Sequence, residues 1–191
     1  MSHRREYEIA FVGLKPGNHL FEYQIKDQFF VPYGAQDFKN CAATVKLNLE
    51  KNNGFMLLQF DVDGQLESSC DRCGDDLPLQ LWDEFKIIVK LVDEPDPLNE
   101  SEEDPDVFYI SRTESHLHIS DWIFEFINLS IPLQKKCKDL ANGTTGCNPS
   151  VLEKLEQMKR NANADTHTTV WKGLDQFKNL GKDNDTKDKR K

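Results

Sequence analysis

Through the first half of the chain apolar and polar residues alternate with period two, the pattern of strands that bury one face. From Glu6 to Leu14 the apolar positions are Tyr7, Ile9 and Phe11, and after the turn signal Lys15-Pro16-Gly17-Asn18 the alternation resumes at Phe21, Tyr23 and Ile25. These two runs predict a β-hairpin. Val45, Leu47 and Leu49 share one face of the next run, Asn52-Asn53-Gly54 supplies positive-φ turn chemistry, and Met56, Leu58, Phe60 and Val62 follow, which predicts a second hairpin. Asp63-Gly64 reads as a turn into Gln65–Ser69, and Leu77–Val92 carries Leu79, Leu81, Phe85, Ile87, Val89 and Leu91. An antiparallel sheet is expected to grow strand by strand.

The period then changes. Residues 93–106 hold eight acids, no Lys or Arg, and Pro95, Pro97 and Pro105, a composition expected to give a mobile acidic loop that acts as a solvated spacer. Val107–Ile110 reads as a strand and His116–Ile119 as a short extended run. Ser120 is placed as the N-cap of a helix, with Ile119 and Phe124 as a hydrophobic staple. Trp122, Ile123, Phe126 and Ile127 turn its apolar side to the sheet until Pro132 stops it. Asn148-Pro149 pairs a capping residue with Pro at the first helical position, opening a helix through Val151, Leu152, Leu155 and Met158. Val170-Trp171, Leu174, Phe177 and Leu180 form a last short helical stripe before a charged tail, 181–191. The fold class expected is α+β, mainly an antiparallel β-sheet with one core-packing helix and C-terminal helices. A single domain is expected over 1–160, with a linker, the short helix and the tail over 161–191.

Composition narrows the function. At 191 residues the chain is long enough for a real hydrophobic core. A formal net charge of −9 opposes a protein that grips a phosphate backbone over its whole surface, since that affinity comes from Lys and Arg. No run of about 18 uncharged apolar residues and no apolar leader is present, so a soluble cytoplasmic chain without membrane contact is expected. His116 and His118, two apart in a predicted strand, face the same way and read as an exposed pair; His3, His19 and His167 are isolated. The phosphate-cradling G-x-x-x-x-G-K-[ST] loop, the H-E-x-x-H pair and the G-x-S-x-G elbow are all missing, and no catalytic residue is nominated.

The chemistry lies in the cysteines. In a chain without a secretion signal, five cysteines suggest metal ligation or burial rather than disulfides. Cys70-Asp71-Arg72-Cys73-Gly74 is a zinc-knuckle turn: two thiolates grip one metal, and Gly at positive φ lets backbone amides point at sulfur. Cys137 and Cys147 would supply the second half, because Asn142-Gly143 and Gly146 allow the chain between them to fold back. The expectation is a structural zinc site on Cys70, Cys73, Cys137 and Cys147. Two readings compete with it, a redox pair at Cys70 and Cys73 and unliganded thiols. Cys41 reads as a buried strand-end thiol.

The order of these features resembles the YceD-like family. The resemblance rests on Ser69-Cys70-Asp71-Arg72-Cys73, the acidic insert, the run from Ile119-Ser120-Asp121-Trp122 through Ile131-Pro132, Cys137, Cys147-Asn148-Pro149 and the Trp171–Leu180 stripe. It implies a bacterial cytosolic protein needed for accumulation of large-subunit ribosomal RNA, with metal-binding and nucleic-acid-binding among the family's attributes. Together with the knuckle and the lack of catalytic residues, it leads to the expectation of a non-enzymatic assembly factor. Given the net charge, the partner expected is a basic ribosomal protein, a preribosomal particle or another assembly factor. Direct RNA contact through a local basic face at Arg4, Arg5, Lys15 and Lys26 stays open as an alternative, as does thiol redox work at Cys70 and Cys73.

Overall fold

The computed structural model describes residues 5–140 and 143–164. His3, Arg4, the Trp171–Leu180 stripe and the charged tail lie outside the described residues. The chain divides into two compact units at the Gly146–Cys147 bond. The first unit is built on a five-stranded sheet, and the second carries a helix, α3, over Pro149–Ala164.

The sheet runs in the order β2 (Gly17–Lys26), β3 (Phe38–Lys51), β4 (Phe55–Ser69), β5 (Asp76–Val92) and β6 (Val107–Ser111). Its first three pairings are antiparallel and the last, β5 with β6, is parallel. The β3–β4 hairpin turns where Asn52-Asn53-Gly54 predicts, with Gly54 at φ 90° and Asn52 N donating to Phe55 O. Alternation does its work along β3, β4 and β5. Val45, Leu47 and Leu49 of β3 and Met56, Leu58, Phe60 and Val62 of β4 are buried on one face, joined by Leu81, Ile87 and Val89 of β5.

Helix α2 (Ser120–Leu129) covers that face through Trp122, Ile123, Phe126 and Ile127, all buried. Phe126 stacks on Phe85 of β5, ring centroids 4.3 Å apart and planes 4° from parallel, and meets Phe60 of β4 edge-on at 5.0 Å. The helix is capped at Ile119, not Ser120, and no side chain closes that end; Ile119 is drawn into the core and its N–H bonds Tyr7 O.

Three further expectations are corrected. The Glu6–Leu14 segment does not pair with β2. It breaks into 3-10 turns around a two-residue strand, β1 (Glu8–Ile9), that pairs with β7 (Leu117–His118). Tyr7, Ile9 and Phe11 are nonetheless buried, so the alternation reports burial correctly while the partner is different. Lys51 at the end of β3 holds this segment, its Nζ donating to Phe11 O and Leu14 O, each at 2.8 Å.

Gly64 is not a turn either, because β4 continues through Asp63-Gly64 to Ser69. It sits opposite Ala43, beside a shift in the β3–β4 register, where a Cβ would clash with the Ala43 backbone at Cα. Glycine is required there by close backbone approach.

The acidic stretch, expected to be a mobile loop, contains a short helix, α1 (Asp96–Ser101). Pro97 lies in its first turn, and the side chains that follow are tied down. Asn99 Nδ2 donates to Tyr109 O at 2.9 Å while Tyr109 N donates to Asn99 Oδ1 at 2.8 Å, and Tyr109 Oη donates to Glu102 Oε2 at 2.7 Å. Asn99 therefore occupies both outward backbone groups of Tyr109, as a neighbouring strand would.

Candidate metal centre

The turn between β4 and β5 begins at Cys70. Gly74 N donates to Cys70 O at 2.8 Å, Cys70 N donates to Asp75 O at 2.8 Å, and Gly74 takes φ 77°. This compact turn aims the amides of Cys73 and Arg72 at the Cys70 sulfur. Burial alone would raise the Cys70 thiol above its ordinary value near 9. Those two amides, with that of Cys137, outweigh burial and bring it down to about 6. Amides that stabilise a thiolate are what a metal ligand needs.

The second half follows α2. Asp139 and Thr145 form an antiparallel bridge, Leu140 N donates to Thr144 O at 2.7 Å, and Gly143 takes φ 78°. Gly146 N then donates to Lys138 O at 3.1 Å, at a place where a Cβ on Gly146 would meet that same oxygen at 2.5 Å. This small hairpin returns the chain to its start, which sets Cys147, bonded to Gly146, beside Cys137.

The knuckle and the hairpin are joined by Asp71. Its N–H donates to Lys135 O, and its Oδ2 accepts from Lys135 N, each at 2.7 Å. Across 64 positions of sequence this pair fixes the two halves together. Sequence reasoning missed it, although a carboxylate just after the first Cys, free to accept from a backbone amide, is a visible signal.

The Sγ atoms of Cys70, Cys73, Cys137 and Cys147 all lie within 4.8 Å of one another. Cys73 and Cys137 sulfurs are 3.7 Å apart. A tetrahedron of thiolates about 2.3 Å from a central zinc has edges of about 3.8 Å, which the Cys73–Cys137 separation matches. Cys70, Cys73 and Cys147 are buried and Cys137 is partly so. The four cysteines close together could hold a metal ion.

Other sequence candidates fall elsewhere. Cys41 is buried on β3, its N–H donating to Asp27 Oδ1 at 2.7 Å, and burial with the Asp27 charge pushes its thiol up to about 11. His118 Nδ1 lies 3.5 Å from Glu8 Oε1, and His116 Nδ1 is 2.8 Å from Ser115 Oγ. Among the described residues neither these histidines nor the acids of 93–106 assemble into a metal-competent group. Of the residues raised as a basic face, Arg5, Lys15 and Lys26 fall in the first unit, and no helix of the described residues is long and apolar enough to cross a membrane.

A search of curated proteins and of solved structures gave no match. The family model described as "Large ribosomal RNA subunit accumulation protein YceD" matches residues 58–178, a span that begins in β4 and takes in the knuckle, the acidic stretch, α2 and all four clustered cysteines. With well over half its length inside that match, the chain belongs to the YceD family of large ribosomal RNA subunit accumulation proteins.

Proposed function

We propose that this protein is a non-enzymatic factor supporting large-subunit ribosomal RNA accumulation and ribosome assembly in the cytoplasm, and that Cys70, Cys73, Cys137 and Cys147 hold a structural zinc ion. The observation that carries the reading is the family match over the residues that build the cysteine cluster. A zinc ion bound by four thiolates supplies a crosslink and leaves no open position for substrate. The residues around it support that role: the Cys73, Arg72 and Cys137 amides stabilise the Cys70 thiolate, and Asp71 fixes the hairpin side to the knuckle side.

The net charge of −9 favours a basic partner, such as a ribosomal protein on a preribosomal particle, over free RNA. A thiol redox role for Cys70 and Cys73 is supported less well. Their CxxC lies in a turn between two strands and does not open a helix. Gradient sedimentation of lysates tests the reading: the protein travels with large-subunit precursors, and its depletion lowers large-subunit ribosomal RNA. Unchanged ribosomal RNA on depletion refutes it. Metal analysis giving one zinc per chain supports the structural site, whereas a reversible Cys70–Cys73 disulfide in metal-free protein as isolated favours redox work.

A further inference from the structure

Away from the cysteines, a cleft of about 410 Å³ opens between β6, the start of α1 and the β7–α2 connection. Its wall is aromatic. Phe108 of β6 is 42% exposed and stands edge-on to Trp122 at 5.5 Å, so an apolar face is left open to solvent at the cleft. Asp96, Glu114 and Asp121 contribute carboxylates to its lining, His116 and His118 line it too, and neither lysine nor arginine is among its described lining residues. Asp121 accepts a hydrogen bond from Tyr33 Oη at 2.7 Å. Asp96 and Glu114 take part in none of the ion pairs among the described residues.

A flat aromatic wall beside unpaired carboxylates complements one side chain above others. A guanidinium is planar, hydrated weakly enough to stack on an aromatic face, and able to give a carboxylate two parallel hydrogen bonds; an ammonium is a compact, strongly hydrated point charge. The same carboxylates repel phosphate. We propose that this cleft is the docking site for an arginine in an extended basic segment of a protein partner. This rests on the reading of the chain as a factor that works by binding a ribosomal component, and it assigns the surface and the partner chemistry.

The test uses the full zinc-loaded chain and a fluorescein-labelled peptide of alternating glycine and arginine, followed by anisotropy at moderate salt. The double variant Asp96→Asn/Glu114→Gln weakens binding by about tenfold, the loss expected for charge-assisted hydrogen bonds at a partly desolvated site. Phe108→Ala weakens it as well. The charge-matched control Glu100→Gln/Glu103→Gln, outside the cleft lining, changes binding less than about twofold, and the lysine version of the peptide binds several-fold more weakly. Equal loss in the control, equal affinity for the lysine peptide, or a single-stranded RNA that competes for the cleft overturns the proposal. Sedimentation separates the two readings. If the wild type travels with precursors and Asp96→Asn/Glu114→Gln does so equally, the cleft assignment fails and the assembly role stands; if the wild type binds the peptide but meets no precursor, the assembly role fails.

Discussion

Removing the metal should unlock one short segment and spare the sheet. Ordering the described residues of the Cys137–Cys147 segment, 137–140 and 143–147, costs roughly 9 kcal/mol at about 1 kcal/mol of backbone entropy per residue. The backbone hydrogen bonds Leu140 N to Thr144 O, Gly143 N to Leu140 O and Gly146 N to Lys138 O return about 3 kcal/mol at roughly 1 kcal/mol each. Those three bonds alone fall short of that cost, and a structural zinc ion, worth on the order of 10 kcal/mol in small peptides, is large enough to close the gap. None of the four clustered cysteines belongs to the main hydrophobic cluster of the sheet and α2, so that cluster does not depend on the ion directly. Hydrogen exchange read by mass spectrometry, before and after a strong chelator with reductant present, checks this. Amides of 137–140 and 143–147 should lose protection while those of β3 and β4 keep it. Retained protection at 137–140 and 143–147 would show that the hairpin orders itself. Simultaneous loss across β3 and β4 would show that the metal holds the whole first unit.

Other perturbations follow from the same structure. Gly64→Ala forces a Cβ onto Ala43 Cα and should cost about 3 kcal/mol, read as a lower urea midpoint with an unchanged slope; a neutral result would mean the β3–β4 pair can move apart there. Phe126→Ala removes the ring between Phe60 and Phe85 and should cost about 3–5 kcal/mol in the same assay. The Cys41 thiol titrates at about 11 when folded and near 9 when exposed, so its contribution to stability is full below about pH 9 and is lost as pH rises toward 11. Unfolding free energies between pH 9 and 10 should therefore fall more steeply for the wild type than for Cys41→Ala, and parallel curves would contradict the assignment. Asp71→Ala deletes the acceptor for Lys135 N and should speed metal release to a chromogenic chelator; an unchanged rate would show that Asp71 does not hold the two halves together.

Much of this was legible because the signals are local. Asn52-Asn53-Gly54 names its own turn, and the side-chain period of two marks the buried faces of β3, β4 and β5 whatever lies opposite. The knuckle is equally local, since Gly74 does at positive φ what the spacing requires. What stayed hidden depends on distant partners. Tyr7, Ile9 and Phe11 alternate, yet nothing in them says that β7 is the neighbour. Gly64 reads as a turn unless the Ala43 backbone across from it is known. The 3-10 turns of Asp27–Tyr33, which bury Phe29 and Phe30, have no period to detect, and their aromatic contacts reach Tyr7, Phe38 and Phe124.

The amide of Asn99 bears on how molecules of this protein behave toward each other. An outermost strand with unsatisfied backbone groups invites the same strand of another molecule to add on, and repeated addition ends in ordered fibrils. By filling the two outward groups of Tyr109, one side chain from the acidic insert closes that growth point, and the surrounding carboxylates keep like molecules apart. The insert thus leaves no free backbone donor or acceptor at Tyr109 for an added strand to take, and losing Asn99 would reopen the rim of β6 at that point.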